Sequence, residues 1–504
     1  MSSTTSDHQD SQQQQRTSRS EPGRSVVGYK DAFKQWLWQP SQVDAEDGIL
    51  NLVQGIPADR TVAHNHTEIT VPAAITGGSS SDPPKTYFIN EYAITTPPEK
   101  EKNVLVMMHG YGAGLSFFFK NFGPLAAGLG SSWSIYALDW LGYGGSSRPK
   151  FRVRTSDLSA TENVTLPSPI NPQKSQVLHE NVVTRETEDW FVESLEAWRA
   201  AKGIERFTLM GHSMGGYFAA AYAFRYPQRV ERLVMVSPAG VERGYDPSLD
   251  NETSFRKAFL SKSKEADKTD EPTLQDEVDK PQSDIQHADH DTHHHTLNNK
   301  NQPEMEVTEF GERPKGWRSA ENRRLRFGPR ISYLWNNHYS PFFFIRASTF
   351  LGPRLVSYWS YNRFNGLTIA ERDAMHTYAY KIMSGSGSGE YAITRILAPG
   401  ALPRMPLLDR LDSTFGLLKC PSLWMYGQQD WMDVDAGFEA VKALNALDAK
   451  VQTAAAAASR NGQQTTPPIN RKADYVEIPQ AGHHLYLDNP NAFNTVLLRY
   501  LLRK

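Results

Sequence analysis

The chain has 504 residues, a formal net charge of −2 and a single cysteine, Cys420. This length permits two or three average domains or one large α/β domain with insertions, while the near-neutral charge excludes a global attraction to nucleic acid. The single cysteine excludes an internal disulfide. The sequence contains neither a secretory signal nor eighteen consecutive apolar residues, so we expect a soluble or peripheral protein.

The first part of the chain divides into two segments. Residues 1–27 are polar and of low complexity, and we predict that they are disordered because they have little to bury. Residues 28–82 form an N-terminal segment with Trp36 and Trp38. These two indoles are candidates for contact with a bilayer surface, and the alternative is that they pack onto the following domain.

A regular alternation of elements begins at residue 83. The stretch 83–96 is predicted to be extended hairpin, and an amphipathic helix precedes Gly203. Short apolar runs ending in glycine or a turn occupy 104–110, 134–140, 207–213 and 232–240. Strand, helix and strand at this spacing predict a mostly parallel sheet with helices on both faces, whose first part covers 83–243.

The alternation stops and later resumes. Residues 244–405 are predicted to form an inserted helical lid that contains a disordered insertion at 262–316. The second part of the sheet domain is predicted at 406–504, with a polar insertion at 452–470. Aromatic residues are frequent in the lid, where they fit either an acyl-chain entrance or a plain aromatic core.

A basic stretch lies within the predicted lid. Residues 313–330 carry seven Arg or Lys side chains and one Glu. This stretch is either a solvated face or a binding site for anionic phospholipid headgroups, for which Arg323, Arg324 and Arg326 are the candidates.

The sequence "GHSMGG" places Ser213 between a predicted strand and a predicted helix. A G-x-S-x-G turn in this context exposes the serine hydroxyl above a helix N-terminus, whose dipole favours a developing negative charge. The alternative is a glycine-rich turn without chemistry. We predict that Ser213 is a nucleophile.

A nucleophilic serine needs an oxyanion site, a base and an acid that orients the base. "HGYGAG" closes an earlier strand and can offer the backbone N–H of Tyr111, with Met214 supplying the second N–H; His109 itself is interpreted as a packed histidine. Asp430 follows a strand end and is the predicted acid, with Asp433 and Asp435 as competitors. His483, directly after the last strand, is the predicted base.

Asp488 raises two further interpretations. With Asn489 and Pro490 it is explained as a helix cap. With His483 it also forms the His-x4-Asp spacing of glycerolipid acyltransferases. A zinc site at His483 and His484 is not expected because adjacent side chains diverge, and the His-rich stretch 287–295 lies in the predicted disordered insertion. No metal and no cofactor are predicted.

These motifs resemble the α/β-hydrolase-domain-containing 4/5 family, whose fungal branch includes a cardiolipin-specific deacylase and lysophosphatidic acid acyltransferases. The resemblance rests on the Trp-bearing N-terminal segment, "HGYGAG", "LDWLGYGGSSRP", "GHSMGG", "VSPAG", "YGQQDWMD" and "AGHHLYLDNP". It covers most of residues 28–504 outside the polar insertions. The resemblance implies the α/β-hydrolase fold, a Ser213, Asp430 and His483 triad, and an acyltransferase motif at His483 and Asp488.

The sequence therefore predicts a serine carboxyl-ester hydrolase that removes acyl chains from glycerophospholipids. By resemblance, the expected substrate is cardiolipin and the expected location is the mitochondrial inner membrane, where the chain would be peripheral; the cytoplasm or lipid droplet is the alternative. Two other functions stay open: acylation of lysophosphatidic acid through the His-x4-Asp motif, and non-catalytic co-activation of a lipid-droplet lipase. No nucleic acid is expected as a partner.

Overall fold

A computed structural model describes residues 26–96, 103–168, 170–171, 173–244, 328–411, 418–461 and 470–503. Most of the predicted tail at 1–27 and the whole predicted insertion at 262–316 lie outside these described residues.

One eight-stranded sheet organises the molecule. Its strands are β1 (Thr61–Val71), β2 (Lys85–Thr95), β3 (Asn103–Met108), β4 (Trp133–Leu138), β7 (Phe207–His212), β8 (Val230–Val236), β9 (Ser422–Gly427) and β10 (Ala473–Ile478). Their order is β1-β2-β4-β3-β7-β8-β9-β10, and all pairings from β4 onward are parallel. The side chains of β4, β7, β9 and β10 are all buried, which explains why β4, β7 and β9 are mainly apolar; β10 also buries Asp474 and Glu477.

Helices cover both faces of this sheet. They are α3 (Phe119–Leu129), α4 (Val182–Ala201), α5 (Met214–Arg225), α11 (Leu407–Leu411), α12 (Val434–Arg460), α13 (Leu485–Asp488) and α14 (Pro490–Leu501). Helix α4 begins where the Asn181 side chain accepts a hydrogen bond from the Thr184 N–H. The predicted mostly parallel α/β-hydrolase fold is confirmed.

Three details differ from the sequence-based expectations. The stretch 83–96 is a single strand, β2, whose antiparallel partner is β1, so the sheet begins before residue 83. A two-stranded hairpin, β5 (Thr161–Pro167) with β6 (Ser175–Asn181), was not predicted. Helix α12 continues to Arg460 and so includes the start of the polar stretch 452–470, because its alanine-rich sequence favours a helix; residues 462–469 lie outside the described part.

Five helices between β8 and β9 form the described part of the lid. They are α6 (Pro329–Asn336), α7 (Phe343–Ala347), α8 (Gly352–Arg363), α9 (Ile369–Ser384) and α10 (Ile393–Ile396). Helix α9 begins with a capping box in which the Thr368 side chain accepts from the Glu371 N–H and the Glu371 side chain accepts from the Thr368 N–H. The chain therefore leaves the sheet after β8, builds a helical layer and returns to the sheet at β9.

The N-terminal segment packs on this lid. Helix α1 (Tyr29–Leu37) lies against α8, and α2 (Gln42–Leu50) lies against α9. Just before α1, the Val27 N–H donates to Ser357 Oγ at 3.0 Å, and Arg354 donates to the Val27 carbonyl at 2.8 Å. The segment is thus fixed to the lid by hydrogen bonds between the Val27 main chain and lid side chains as well as by apolar contacts.

A buried carboxylate connects α2, the sheet and the lid. Glu46 accepts hydrogen bonds from Asn90 Nδ2 at 2.8 Å and from the Tyr378 hydroxyl at 2.9 Å, and its Oε2 lies 3.2 Å from His64 Nε2. Burial and the nearby Asp139 carboxylate raise the pKa of Glu46 to about 7. Burial alone would lower the pKa of His64, but hydrogen bonds and charge from Glu46 and Asp47 raise it to about 9.

We expect stability to fall as the pH rises from about 7 to about 9. Folded His64 keeps its proton up to about pH 9, whereas an unfolded histidine releases it near 6.5, so this contribution is complete below 6.5 and is lost as the pH rises through about 9. Urea unfolding across this range should show the decrease in the free energy of unfolding. His64→Gln should remove it.

His66→Gln is the matched control on the same strand. Burial lowers the pKa of His66, so it titrates below this pH range and its loss should leave the decrease intact. Equal pH dependence in wild type and His64→Gln would contradict the assignment.

Candidate active site

Ser213 occupies a strained turn between β7 and α5. Its backbone has φ 55° and ψ −121°, a region that non-glycine residues seldom adopt. A methyl group on Gly211 would lie 2.3 Å from the Gly215 carbonyl oxygen, and one on Gly215 would lie 2.4 Å from the His109 carbonyl oxygen. The two glycines therefore permit the close strand–helix approach that presents the serine at the carboxyl edge of the sheet.

The structure brings Ser213, His483 and Asp430 together. Ser213 Oγ lies 3.0 Å from His483 Nε2, and His483 Nδ1 lies 3.1 Å from Asp430 Oδ1. These residues follow the carboxyl ends of β7, β10 and β9, which lie at one edge of the sheet. The arrangement allows neutral His483 to donate from Nδ1 to Asp430 and to accept the serine proton at Nε2.

Asp430 is fully buried yet remains suited to ionisation. Burial raises the pKa of its carboxyl group, but charge and a hydrogen bond from His483, with hydrogen bonds from Ser237 and the Met432 N–H, outweigh burial and lower the pKa. Ser237 Oγ donates to Asp430 Oδ2. This role of Ser237 was not predicted, because the sequence places Ser237 just after an apolar run but does not show that this strand lies next to the one that precedes Asp430.

His212 links the base to the nucleophile. Its Nε2 lies 2.9 Å from the His483 carbonyl oxygen, which can only accept, so Nε2 carries the proton. Burial lowers the pKa of His212 well below its ordinary value and keeps the ring neutral. Because His212 directly precedes Ser213, one side chain sets the spacing between the nucleophile turn and the His483 backbone. His212 was not among the predicted site residues.

The predicted oxyanion loop contacts the nucleophile directly. A methyl group on Gly110 would lie 2.9 Å from Ser213 Cβ. The Trp140 N–H donates to His109 Nε2 at 3.3 Å, so His109 Nδ1 carries a proton and donates to the Gly110 carbonyl at 2.8 Å. In a trans peptide the C=O and N–H point in opposite directions, so the N–H of Tyr111 points away from His109.

Met214 is the first residue of α5, where helix N–H groups lack intrahelical partners. Its N–H and that of Tyr111 belong to the two segments that flank the Ser213 side chain. His109 is fully buried and hydrogen-bonded, as the sequence analysis interpreted it. From the lid, Phe342 stacks on the Tyr111 ring with centroids 4.9 Å apart and so covers the loop.

The predicted helix cap with Pro490 in the first turn is present, but Asp488 is not the capping residue. Asn489 caps α14 instead, because its side chain accepts from the Ala492 N–H at 3.2 Å while Pro490 occupies the first helical position. Asp488 ends the preceding short helix α13, and its carboxylate points back toward the turn after β10. The helix-cap and the acyltransferase interpretations rest on the same residues, so only the three-dimensional structure of the turn distinguishes between them.

The predicted acyltransferase pair is not joined by a hydrogen bond in the described residues. The two ring nitrogens of His483 face Ser213 and Asp430. The carboxylate of Asp488 binds Arg363 of the lid at 2.8 and 3.1 Å. The two residues of the His-x4-Asp sequence thus have different hydrogen-bond partners.

Of the residues predicted to bind lipid, the structure describes the two tryptophans but not the three arginines. Trp36 and Trp38 are 37% and 69% exposed. Arg323, Arg324 and Arg326 lie outside the described residues. In the part of the chain that the structure describes, no helix is long and apolar enough to cross a membrane, and no group of three or more His, Cys, Asp or Glu side chains is arranged for a metal ion.

Comparisons with known proteins agree with this fold. A family model described as "alpha/beta hydrolase fold" matches residues 103–315. The chain is 28% identical over 425 residues to a probable 1-acylglycerol-3-phosphate O-acyltransferase of Oryza sativa, covering 83% of this chain and 71% of that protein. It is 25% identical over 414 residues to a mouse (lyso)-N-acylphosphatidylethanolamine lipase, covering 81% of each.

A shorter stretch is more similar to a human protein. Over 139 residues the chain is 38% identical to human 1-acylglycerol-3-phosphate O-acyltransferase ABHD5, covering 28% of this chain and 30% of that protein. Together with the fold, these matches identify the chain as an α/β hydrolase, and its relatives agree with the resemblance to the α/β-hydrolase-domain-containing 4/5 family.

Proposed function

We propose that this chain is a serine carboxyl-ester hydrolase that removes acyl chains from glycerophospholipids. The observation that carries the proposal is the continuous hydrogen-bond series from Ser213 Oγ through His483 to Asp430, with separations of 3.0 and 3.1 Å. Such a series converts a weakly nucleophilic hydroxyl into one that can attack an acyl carbonyl.

The reaction proceeds in two stages. Ser213 Oγ attacks the ester carbonyl while His483 Nε2 takes the hydroxyl proton, and Asp430 stabilises the imidazolium that forms. The Tyr111 and Met214 N–H groups hold the oxyanion. His483 then protonates the leaving lysolipid oxygen. In the second stage His483 takes a proton from water while the water oxygen attacks the acyl carbonyl. His483 then returns this proton to Ser213 Oγ as the bond between Oγ and the acyl carbon breaks, which releases the fatty acid and the free serine.

The lipid substrate is supported by surface chemistry and by the relatives. Exposed aromatic and aliphatic side chains are concentrated on α1 and the lid; they include Phe33, Trp36, Trp38, Phe343, Phe344, Leu355 and Tyr358. The names of the rice and mouse relatives both denote phospholipid substrates. Cardiolipin as the preferred substrate and peripheral attachment to the mitochondrial inner membrane rest on the sequence resemblance.

Acyl transfer is the second candidate because relatives from rice, Arabidopsis and human carry acyltransferase names. The site favours a route through Ser213, in which a lysolipid hydroxyl replaces water at the acyl-enzyme. A route that uses only His483 and Asp488 is not supported, since in the part of the chain that the structure describes no hydrogen bond joins these two side chains. Non-catalytic co-activation is a third function, and the assembled Ser213 site argues against it.

Ser213→Ala should lower hydrolysis of cardiolipin vesicles by at least about a thousandfold, because no other group in the site replaces the nucleophile. Asp430→Asn should cause a loss of similar order by fixing the wrong tautomer of His483. Release of fatty acid measures both effects, and wild type should be labelled at Ser213 by a fluorophosphonate.

Asp435→Asn is the matched control, since this carboxylate lies in the first turn of α12 rather than on His483. We expect its activity to equal wild type. Acyl-CoA-dependent acylation of lysophosphatidic acid that survives in Ser213→Ala would replace the hydrolase proposal with the His-x4-Asp route. A wild-type protein that resists fluorophosphonate labelling would favour the non-catalytic function.

Gly110→Ala should lower the turnover of p-nitrophenyl butyrate by about a hundredfold, because its methyl group must displace either Ser213 Cβ or His212 Nδ1, each 2.9 Å away. Gly48→Ala is the control, because a methyl group there meets open space. An unchanged turnover number in Gly110→Ala would show that the loop does not position the oxyanion donors.

Trp36→Ala with Trp38→Ala should reduce hydrolysis of phospholipid vesicles several-fold while leaving hydrolysis of soluble p-nitrophenyl butyrate unchanged. Transfer of an exposed indole to a bilayer interface is favourable, so it strengthens binding to vesicles. It does not affect the binding of a dissolved substrate. Phe88→Ala, which removes a 38% exposed ring from β2, is the control. Equal losses on both substrates would indicate misfolding rather than surface binding.

A further inference from the structure

The turn that carries His483 is held on both sides by one ion pair. Asp488 Oδ2 accepts from the Gly482 N–H at 2.9 Å, immediately before His483. Arg363 Nε donates to His484 Nδ1 at 3.1 Å, immediately after it. The guanidinium and the carboxylate then join each other through two hydrogen bonds of 2.8 and 3.1 Å.

The two halves of this ion pair belong to different layers of the fold. Arg363 is the last residue of lid helix α8, whereas Asp488 ends α13 on the sheet domain. A planar guanidinium that meets a carboxylate through two parallel hydrogen bonds has a defined orientation as well as an attraction. The position of α8 is therefore transmitted to the backbone around His483.

His484 is suited to receive this contact. Arg363 Nε–H can only donate, so His484 Nδ1 must be unprotonated. Burial, followed by the charge of Arg363, lowers the pKa of His484 well below its ordinary value and keeps the ring neutral. The ring packs between Phe117 and Phe364, with centroids 5.9 and 6.3 Å away, and this packing fixes its orientation.

The other roles open to Asp488 do not fit these contacts. Asn489 is the helix cap, and His483 already has an acid partner in Asp430. The side chains of Arg363 and Asp488 are only 24% and 20% exposed, so the pair is shielded from water more than a typical surface salt bridge. The pair contacts the Gly482 N–H and the His484 ring, which lie on either side of His483.

We propose that Arg363 and Asp488 form a clamp that positions His483 from the lid, so that the aspartate of the His-x4-Asp sequence acts through the base rather than on an acyl group. This inference rests on the proposed function, because it requires His483 to activate Ser213. Both are positioning residues. When the clamp is complete, Gly482 and His484 are fixed and Nε2 of His483 stays within reach of Ser213 Oγ.

The test measures activation of Ser213 without a lipid. Asp488→Asn and Arg363→Met should each slow fluorophosphonate labelling by about tenfold to a hundredfold, and should lower kcat for p-nitrophenyl butyrate equally with little change in KM. Because both variants break one unit, the double variant should be no slower than either single variant. Arg363→Lys keeps the positive charge but lacks the planar guanidinium with its two parallel donors. It should therefore label faster than Arg363→Met but more slowly than wild type.

Lys120 and Glu371 provide the matched control. They form another ion pair between the sheet domain and the lid, on α3 and α9, and they do not touch the His483 turn. Lys120→Met and Glu371→Gln should label at the wild-type rate. Thermal unfolding of all variants separates loss of rate from loss of fold.

Three results would overturn the clamp: wild-type labelling in Asp488→Asn or Arg363→Met, additive losses in the double variant, or equal losses in the Lys120 and Glu371 controls. Failure of the proposed function has a different signature. If Ser213→Ala hydrolyses ester as wild type does, the nucleophile assignment fails whatever the clamp variants do. If Ser213→Ala is inactive while the clamp variants label normally, only the clamp is wrong.

Discussion

The left-handed backbone at Ser213 is the constraint on which the site depends. A residue at φ 55° and ψ −121° is held there only when its surroundings over-determine the turn. Here β7 is buried by neighbours on both sides, α5 is buried along nearly its whole length, and the Ser213 N–H donates to the Val236 carbonyl at 2.9 Å. The core thus supports a local conformation that exposes one hydroxyl.

The parallel sheet positions the other side chains of the site around this turn. Strands β8, β9 and β10 follow β7 in this order across the sheet, and the turn after each strand supplies one member of the site: Ser237, Asp430 and His483. Because parallel strands end at the same edge, residues separated by hundreds of positions become neighbours. The chemistry is therefore a product of strand order rather than of local sequence.

The dependence of the site on strand order explains which of its residues could be predicted from the sequence. Ser213, Asp430 and His483 were accessible because each follows an apolar run, and a turn after a buried strand locates a residue at the sheet edge. His212, Ser237 and Arg363 were not predicted, since their importance lies in partners that the sequence does not reveal. The prediction of a hairpin at 83–96 was wrong because the partner of this strand is β1, which lies upstream of a turn-rich stretch. The lid's contact with the N-terminal segment likewise depends on tertiary packing.

The two described ends of the chain leave the molecule at opposite sides. Val27 is bonded to lid helix α8, which covers the edge where the site lies. Near the other end, Arg503 binds Asp474 at the start of β10, and its carbonyl accepts from Arg232 near the start of β8. These are the amino ends of the strands. In the proposed mode of membrane binding, a fluorophore or immobilisation tag fused after residue 503 would therefore lie away from the lid and the bilayer, whereas one fused before residue 26 would lie beside lid helix α8 and the exposed Trp36 and Trp38.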